Sequence, residues 1–329
     1  MSVAVWLTNY ASEKYLGDAI LSVLKQSYKD LTLYIADNHS PGVRVAEILQ
    51  GFATEKRVVV LDVPKGLAGI PLMKFCWDYL SEHGTHDYTI TLGGHDAWDQ
   101  DTFLETMVAR ISEKRQEPVS LVFADTWQMD KDSKVVARYG DIMQTVQSSA
   151  YALMPQFVIM GVNSPHFFGL WNEKIRRRIK VRHCCSGFDH LVVAEAVLHG
   201  SILFEPNVRF LIRGPAEGDT LQKYGERHLS KEDREAGPLD FLHQVEWCQY
   251  LVEVAAGNVP APSRDIYGPF LIASMFCTYF ALRGHNLYIC KGAMERFQKS
   301  TEFQNIWAAA KHIEKTVKTL VETAKPLAV

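Results

Sequence analysis

The sequence predicts an α/β fold, a mostly parallel sheet covered by helices on both faces and followed by a helical C-terminal region. Three observations carry this. The first forty residues read as strand, helix, strand, with polar residues at both strand ends. Apolar strand-like runs then alternate with helical patterns as far as residue 124. From about Pro238 onward the pattern is almost wholly helical.

The first strand, Val3–Leu7, is a continuous apolar run that stops at Thr8-Asn9-Tyr10. Tyr15, Leu16, Ala19, Ile20, Val23 and Leu24 follow at helical spacing, and a second strand, 31–36, ends in Asp37-Asn38-His39-Ser40. In open α/β sheets ligands sit beyond the carboxyl ends of the strands, so these two polar endings announce a crevice. Further strands are predicted at 58–63, 88–92 and 120–124, with helices at 43–52, 71–82 and 101–114, the last begun by Asp99 and Asp101. Beyond residue 125 the pattern loosens. A hairpin turning at 130–133, a polar and aromatic loop at 163–171 and a basic helix start at 174–180 are expected. A helix at 186–199 closed by Gly200, and one or two strands at 202–204 and 208–213, complete this part. RGPAEGD (213–219) reads as a loop, and GNVPAPSRD (257–265) as the internal linker or long turn.

The chain has 329 residues, 47% hydrophobic and 22% charged, and a net charge of -3. Such a balance supplies no basic field for nucleic acid. Met1-Ser2 runs straight into the first strand without a charged n-region, which predicts no signal peptide. The longest apolar stretch, 270–282, is short of the ~20 residues a membrane span needs, and a buried helix is expected there. The six cysteines, Cys76, Cys184, Cys185, Cys248, Cys277 and Cys290, form no CxxC pair. They predict reduced thiols in a cytoplasmic protein rather than a zinc site or disulfide framework.

The loop GGHDAW (93–98) lies between a strand and a helix. An acidic residue at a strand's carboxyl end holds Mg2+ or Mn2+ well, and these bridge to phosphates. Gly94, in the glycine pair, permits close backbone approach to a ligand, and His95 offers an imidazole for metal or phosphate. A turn with Asp96 as a helix cap is the competing reading. Neither GxGxxG after the first strand nor GxxxxGK[ST] anywhere is present, so the dinucleotide fingerprint and the P-loop are absent.

Taken in order, VAVWLTNYASEKYLGDAILSVLKQSYKDLTLYIADNHSPG, TLGGHDAWDQDTFLE, LVFADTWQMDKDSKVV and GFDHLVVAEAVLHGSILFEPNVRFLIRG resemble an inverting family 2 glycosyltransferase with the GT-A nucleotide-sugar fold. The similarity runs over roughly residues 2–215. It implies a GT-A domain over 1–220, with a nucleotide-sugar half at 1–100 and an acceptor half at 101–220, and a helical region over 221–329. It implies that Thr8 and Asn38, at the ends where Asn9, Tyr10 and Asp37 also stand, contact the nucleotide base. Lys65-Gly66 would wrap the base and ribose, and Lys74 would point toward the phosphates. Asp189 would be the general base that takes the acceptor hydroxyl's proton, a task worth typically about 10²–10⁴-fold in rate. A helix N-cap is its plainer alternative.

The departure from the family lies in the acidic loop. Gly93 stands at the first acidic place and His95 where the metal-binding acid normally stands, while Asp96 is retained. Three readings stay open: His95 and Asp96 bind a divalent ion together, Asp96 addresses the sugar or ribose, or the site is degenerate. Without a strong metal site, Lys65, Lys74, Arg213 or the 176–178 arginine run would have to face the leaving diphosphate. A solvated helix face is the plainer reading of that run, and packing is the plainer reading of Trp98. The resemblance implies a nucleotide-sugar donor, most often a UDP-sugar, and a hydroxyl acceptor such as a bacterial surface glycan. A cytoplasmic site, at most peripheral to a membrane's inner face, follows from the same reasoning. The apolar faces of the C-terminal helices would pack within the chain or form a homodimer.

Overall fold

In the computed structural model, residues 1–67, 69–116, 118–138, 164–181 and 188–213 are described, together with 299, 301, 304 and 308. The region expected to be helical, 221–329, lies outside them apart from those four residues. So do the linker at 257–265, the apolar stretches of the C-terminal third, and all the cysteines but Cys76.

The described chain alternates as the sequence predicts. Strands β1 (Val3–Asn9), β2 (Leu31–Asp37), β3 (Val58–Val60) and β4 (Tyr88–Gly93) are interleaved with helices α1 (Leu16–Leu24), α2 (Arg44–Gly51) and α3 (Ile70–His83). There follow β5 (Ala97–Trp98), α4 (Phe103–Ile111), β6 (Val119–Met129), β7 (Val135–Arg138), α5 (Ser164–Phe167), β8 (Leu170–Asn172), α6 (Glu173–Arg176), α7 (Phe188–His199) and β9 (Ser201–Arg213). The described strands form one nine-stranded mixed sheet in the order β3-β2-β1-β4-β8-β6-β9-β5, with β7 paired to β6. β1 is parallel to β2 and to β4, and the strand order reverses beside β1, where Thr8 faces Ala36 on one side and Gly93 on the other.

Burial explains the continuous apolar strands. In β1, Val3, Val5 and Leu7 pack with α1, α2 and α4, whereas Ala4 and Trp6 pack with α3, α5 and α7. A strand covered on both faces needs no polar alternation. α1 turns Leu16, Ala19, Ile20 and Val23 inward at helical spacing, and α3 does so with Leu72, Cys76, Trp77 and Leu80. Burial pushes the Cys76 thiol far up from its ordinary value, so it is an inert packing group.

Several expectations are corrected. The stretch 163–171 read as a loop contains α5 and β8, and β8 inserts antiparallel between β4 and β6. Of the one or two late strands expected there is one, β9, which pairs with β6 from Val119 to Met129 and absorbs extra residues where its register shifts at Ala124/Asp125. Asp99 does not cap α4: its carboxylate accepts from Arg209 Nε at 2.7 Å, and the N-cap position belongs to Thr102. Arg176 does not lie on a solvated face. It is 1% exposed, with Nε and Nη2 each 2.7 Å from a Glu173 carboxylate oxygen and its guanidinium 4.8 Å from the Trp77 ring centroid. Arg177 and Arg178 are exposed as expected.

Candidate functional site

The site forms where β1, β2 and β4 end together. Asn9, the last residue of β1, is 2% exposed. Its Nδ2 donates to Asp37 Oδ1 at 2.7 Å and to Ser40 Oγ at 3.3 Å. The Asp37 carboxylate also accepts from the Ser40 hydroxyl at 2.6 Å and the Ser40 N–H at 3.0 Å. Ser40 Oγ in turn accepts the Ala11 N–H at 2.8 Å, and the Asn38 N–H donates to Asn9 O at 2.9 Å. Ala11 and His39 both adopt φ 50°, a left-handed conformation that non-glycine residues enter at a cost. The two polar strand ends are thus one network. Ser40 is its hub, and sequence reasoning did not single it out. The signal was available: a serine three residues after a strand-ending aspartate is suited to an Asx-type turn.

The acidic loop packs directly on this network. The Gly94 N–H donates to Thr8 O at 2.8 Å. A Cβ at Gly94 would stand 2.4 Å from Asn9 Oδ1, an oxygen that is buried without a hydrogen-bond partner. A Cβ at Gly93 would stand 2.4 Å from Asp96 Oδ2. Gly93 does not share the positive φ of Gly42, Gly66 and Gly69, so the Asp96 carboxylate, not backbone strain, is what demands glycine there. Asp96 folds back under its own loop. Its side chain is 2% exposed and its Oδ1 accepts the Arg213 N–H at 2.9 Å, which replaces the helix-cap reading. His95 Nε2 lies 3.6 Å from the same oxygen, with the imidazole 43% exposed.

Arg213, at the end of β9, binds this loop from the other side. Its Nε donates to His95 O at 3.0 Å, Nη2 donates to Ser133 Oγ at 3.0 Å, and Nη1 donates to Asp130 O. Its guanidinium carbon is 3.8 Å from the Tyr15 ring centroid. Trp98, 4% exposed, is stacked on Phe103 with centroids 4.8 Å apart, so it is a packing residue of β5 and α4.

The structure therefore joins Thr8, Asn9, Asp37, Asn38, Gly94, His95, Asp96 and Arg213 in one contact network. Tyr10 stands at its rim, 40% exposed. Lys65 is exposed in the turn after β3, beside Gly66 at φ 86°. Lys74, on α3, is ion-paired with Asp78 one turn along the same helix. Asp189 lies half-buried in the first turn of α7. α7 packs on β6 and β9 and turns at Gly200 directly into β9, so it runs opposite to that strand. Its N-terminus and Asp189 hence lie toward the same end of the sheet, the carboxyl end of its parallel strands, as Asn9 and Gly93.

For a divalent ion the described residues offer His95 and Asp96, and no group of three or more His, Cys, Asp or Glu side chains among them could hold one. A pair suffices where substrate phosphates and water complete the shell, as Mg2+ and Mn2+ commonly arrange, and an imidazole nitrogen suits Mn2+ better than Mg2+. The residues thus fit an ion shared with a diphosphate, not a protein-made cage. No helix among the described residues is long and apolar enough to cross a membrane.

Comparison with known proteins agrees with this architecture. The profile of the family described as Glycosyl transferase family 2 matches residues 2–126. Residues 1–349 of S. aureus TarS, in complex with UDP-GlcNAc, align with 94% of this chain and 79% of that one at TM-score 0.59 and 14% identity. A longer crystal structure of S. aureus TarS aligns at TM-score 0.53 and 12% identity, 94% of this chain covering 48% of it. No curated protein matches the chain by sequence. The sheet and its flanking helices have the GT-A fold.

Proposed function

We propose that the protein is a glycosyltransferase that moves a sugar from a nucleoside-diphosphate donor to a hydroxyl acceptor, with inversion at the anomeric carbon. The observation that carries the reading is the joint between the two polar strand ends and the acidic loop. Asn9, Asp37 and Ser40 form a fixed polar network at the topological switch point, and Asp96 and His95 stand beside it, in this reading on the side from which the diphosphate would leave. The family 2 match over 2–126 covers this half, and the TarS structure with UDP-GlcNAc supports a UDP-sugar as donor.

In this reading Thr8, Asn9, Tyr10, Asp37 and Asn38 bind the nucleoside, with Lys65 and Gly66 over its ribose. Lys74 and Gly94 serve the diphosphate side, and Arg213 holds the loop that borders it. Asp189 takes the proton from the acceptor hydroxyl as that oxygen attacks the anomeric carbon and the nucleoside diphosphate departs on the opposite face. A divalent ion held by His95 and Asp96 would supply positive charge against the departing phosphates. The acceptor in this reading is a glycan or other hydroxyl compound, such as a bacterial surface glycan, and the reaction is assigned to the cytoplasm.

A second reading has its own observation. Gly93 replaces a family carboxylate, and the position of Asp96 leaves no room for one. This favours a GT-A protein that binds a nucleotide sugar without turning it over. Release of nucleoside diphosphate from a donor panel with Mn2+, Mg2+ or EDTA separates the two. Turnover of one donor, abolished in Asp189→Asn with nucleotide affinity kept, is expected. Undiminished turnover in that variant would remove Asp189 from the mechanism, and tight nucleotide binding with no turnover under any condition would establish the binding reading.

A further inference from the structure

We propose that Arg213 is the positioning residue of the acidic loop, a three-way clamp that acts through His95 and Asp96 rather than a cation aimed at the diphosphate. Each of its three side-chain nitrogens already donates within the protein: Nε to His95 O, Nη1 to Asp130 O and Nη2 to Ser133 Oγ. Its backbone N–H holds the Asp96 carboxylate. The guanidinium face is also covered, by the Tyr15 ring at 3.8 Å.

The clamp joins three segments far apart in sequence: the loop after β4, the β6–β7 turn and the start of α1. The turn is held from a second side, because Lys131 O accepts from Lys14 Nζ at 2.7 Å and from the Tyr15 hydroxyl at 2.8 Å. Within the turn, Asp130 Oδ1 accepts the Asp132 and Lys134 N–H groups at 2.9 and 3.0 Å, and Ser133 is held at φ 63°. A non-glycine residue keeps such a conformation only where its surroundings dictate it, and here that conformation presents Oγ to Arg213. A planar fork reaches three acceptors at once, which a lysine ammonium on a single stem does not do. The loop carries a glycine pair and would otherwise be loose.

The kinetic part of this proposal rests on the glycosyltransferase reading; the structural part does not. In the full-length protein, hydrogen exchange of peptides spanning 93–98 and 130–134 is compared between wild type, Arg213→Ala and Arg213→Lys, alongside UDP affinity and donor turnover. Both peptides should exchange roughly fivefold faster or more in each variant, the change expected when a hydrogen bond near 1 kcal/mol is lost. Turnover should fall ~10- to 100-fold while UDP affinity shifts by far less, as for a small misplacement near the reacting atoms. Lysine should not restore it. Unchanged exchange in both peptides would overturn the clamp. So would a parallel loss of UDP affinity and turnover that lysine restores, since Arg213 would then act as a charge on the diphosphate. If wild type turns over no donor, the glycosyltransferase reading fails and the exchange data still decide the clamp. Ser133→Ala, which removes the Nη2 acceptor, and Tyr15→Ala, which removes the ring over the guanidinium together with the hydroxyl bond to Lys131 O, repeat the test should Arg213→Ala not fold.

Discussion

Restoring the family's carboxylate at position 93 should harm this protein rather than improve it. A Cβ there would meet Asp96 Oδ2 at 2.4 Å and Cγ at 3.2 Å. Asp96 has little freedom to retreat, being buried with Oδ1 bound to the Arg213 N–H. Gly93→Ala isolates the steric part, an overpacking cost of about 1–3 kcal/mol. Gly93→Asp adds a second carboxylate, and two like charges ~4 Å apart repel by about 4 kcal/mol at an effective dielectric of 20, before any relaxation. Urea unfolding followed by circular dichroism should therefore rank wild type above Gly93→Ala, and Gly93→Ala above Gly93→Asp. A double-mutant cycle with Asp96→Ala gives the decisive number. Removing the carboxylate should relieve the Gly93→Ala cost, leaving a coupling of roughly 1–3 kcal/mol between the two positions. If the two substitutions add, or if Gly93→Asp matches wild type without metal and binds Mn2+ more tightly, the argument that Asp96 dictates Gly93 is wrong.

Other outcomes follow from single contacts. Trp98→Ala should lower stability by about 3–5 kcal/mol, because the ring is buried on Phe103; a variant of normal stability that loses only acceptor affinity would show that Trp98 contacts the acceptor instead. Arg176→Ala should cost about 3–5 kcal/mol by taking from the buried Glu173 carboxylate its buried cation and leaving it only the half-exposed Arg177 and the Thr89 hydroxyl, whereas Arg176→Met with Glu173→Leu should recover much of that loss. Burial pushes the Glu173 carboxyl up, but bonds from Arg176, Thr89 and Arg177 outweigh it and hold it below the ordinary glutamate range. Its contribution is thus present above the unfolded value and lost as pH falls through the lowered folded value, so wild type should lose stability in acid more steeply than the Glu173→Leu, Arg176→Met variant. EDTA should slow turnover without changing the melting temperature, since the ion would be shared with the donor rather than built into the fold; a large shift in melting temperature would point to a structural ion.

The parts of the fold readable in sequence are those whose pattern is local. β1, β2 and β4 are buried on both faces and show as apolar runs, and α1 shows as a helical stripe. β8 and β5 are three and two residues long, and partners distant in sequence make them strands, so no period exists to read. Asp99 was placed at a helix start by spacing, but Arg209 binds it from 110 residues away. Arg176 read as one of three like charges, and only Glu173 and Trp77 together explain its burial. In the site, Thr8-Asn9 and Asp37-Asn38 were visible because polar residues ending buried strands stand out. The reason for Gly93 was not, because it is a contact between a missing Cβ and a carboxylate three residues on.

The insertion of β8 bears on how the chain is made and how it could be cut. β8 lies between β4 and β6, bonded to both, yet it comes from residues 170–172, well after either neighbour. A fragment ending at residue 126, where the family match ends, would hold the first strands but leave the edges of β4 and β6 facing water with nothing between them. Exposed strand edges invite pairing with other chains. On the ribosome the first half must wait for β8 and then β9 before its middle closes, which raises contact order and slows folding. Expression trials should accordingly keep everything through Arg213, and a shorter piece chosen by similarity alone should aggregate.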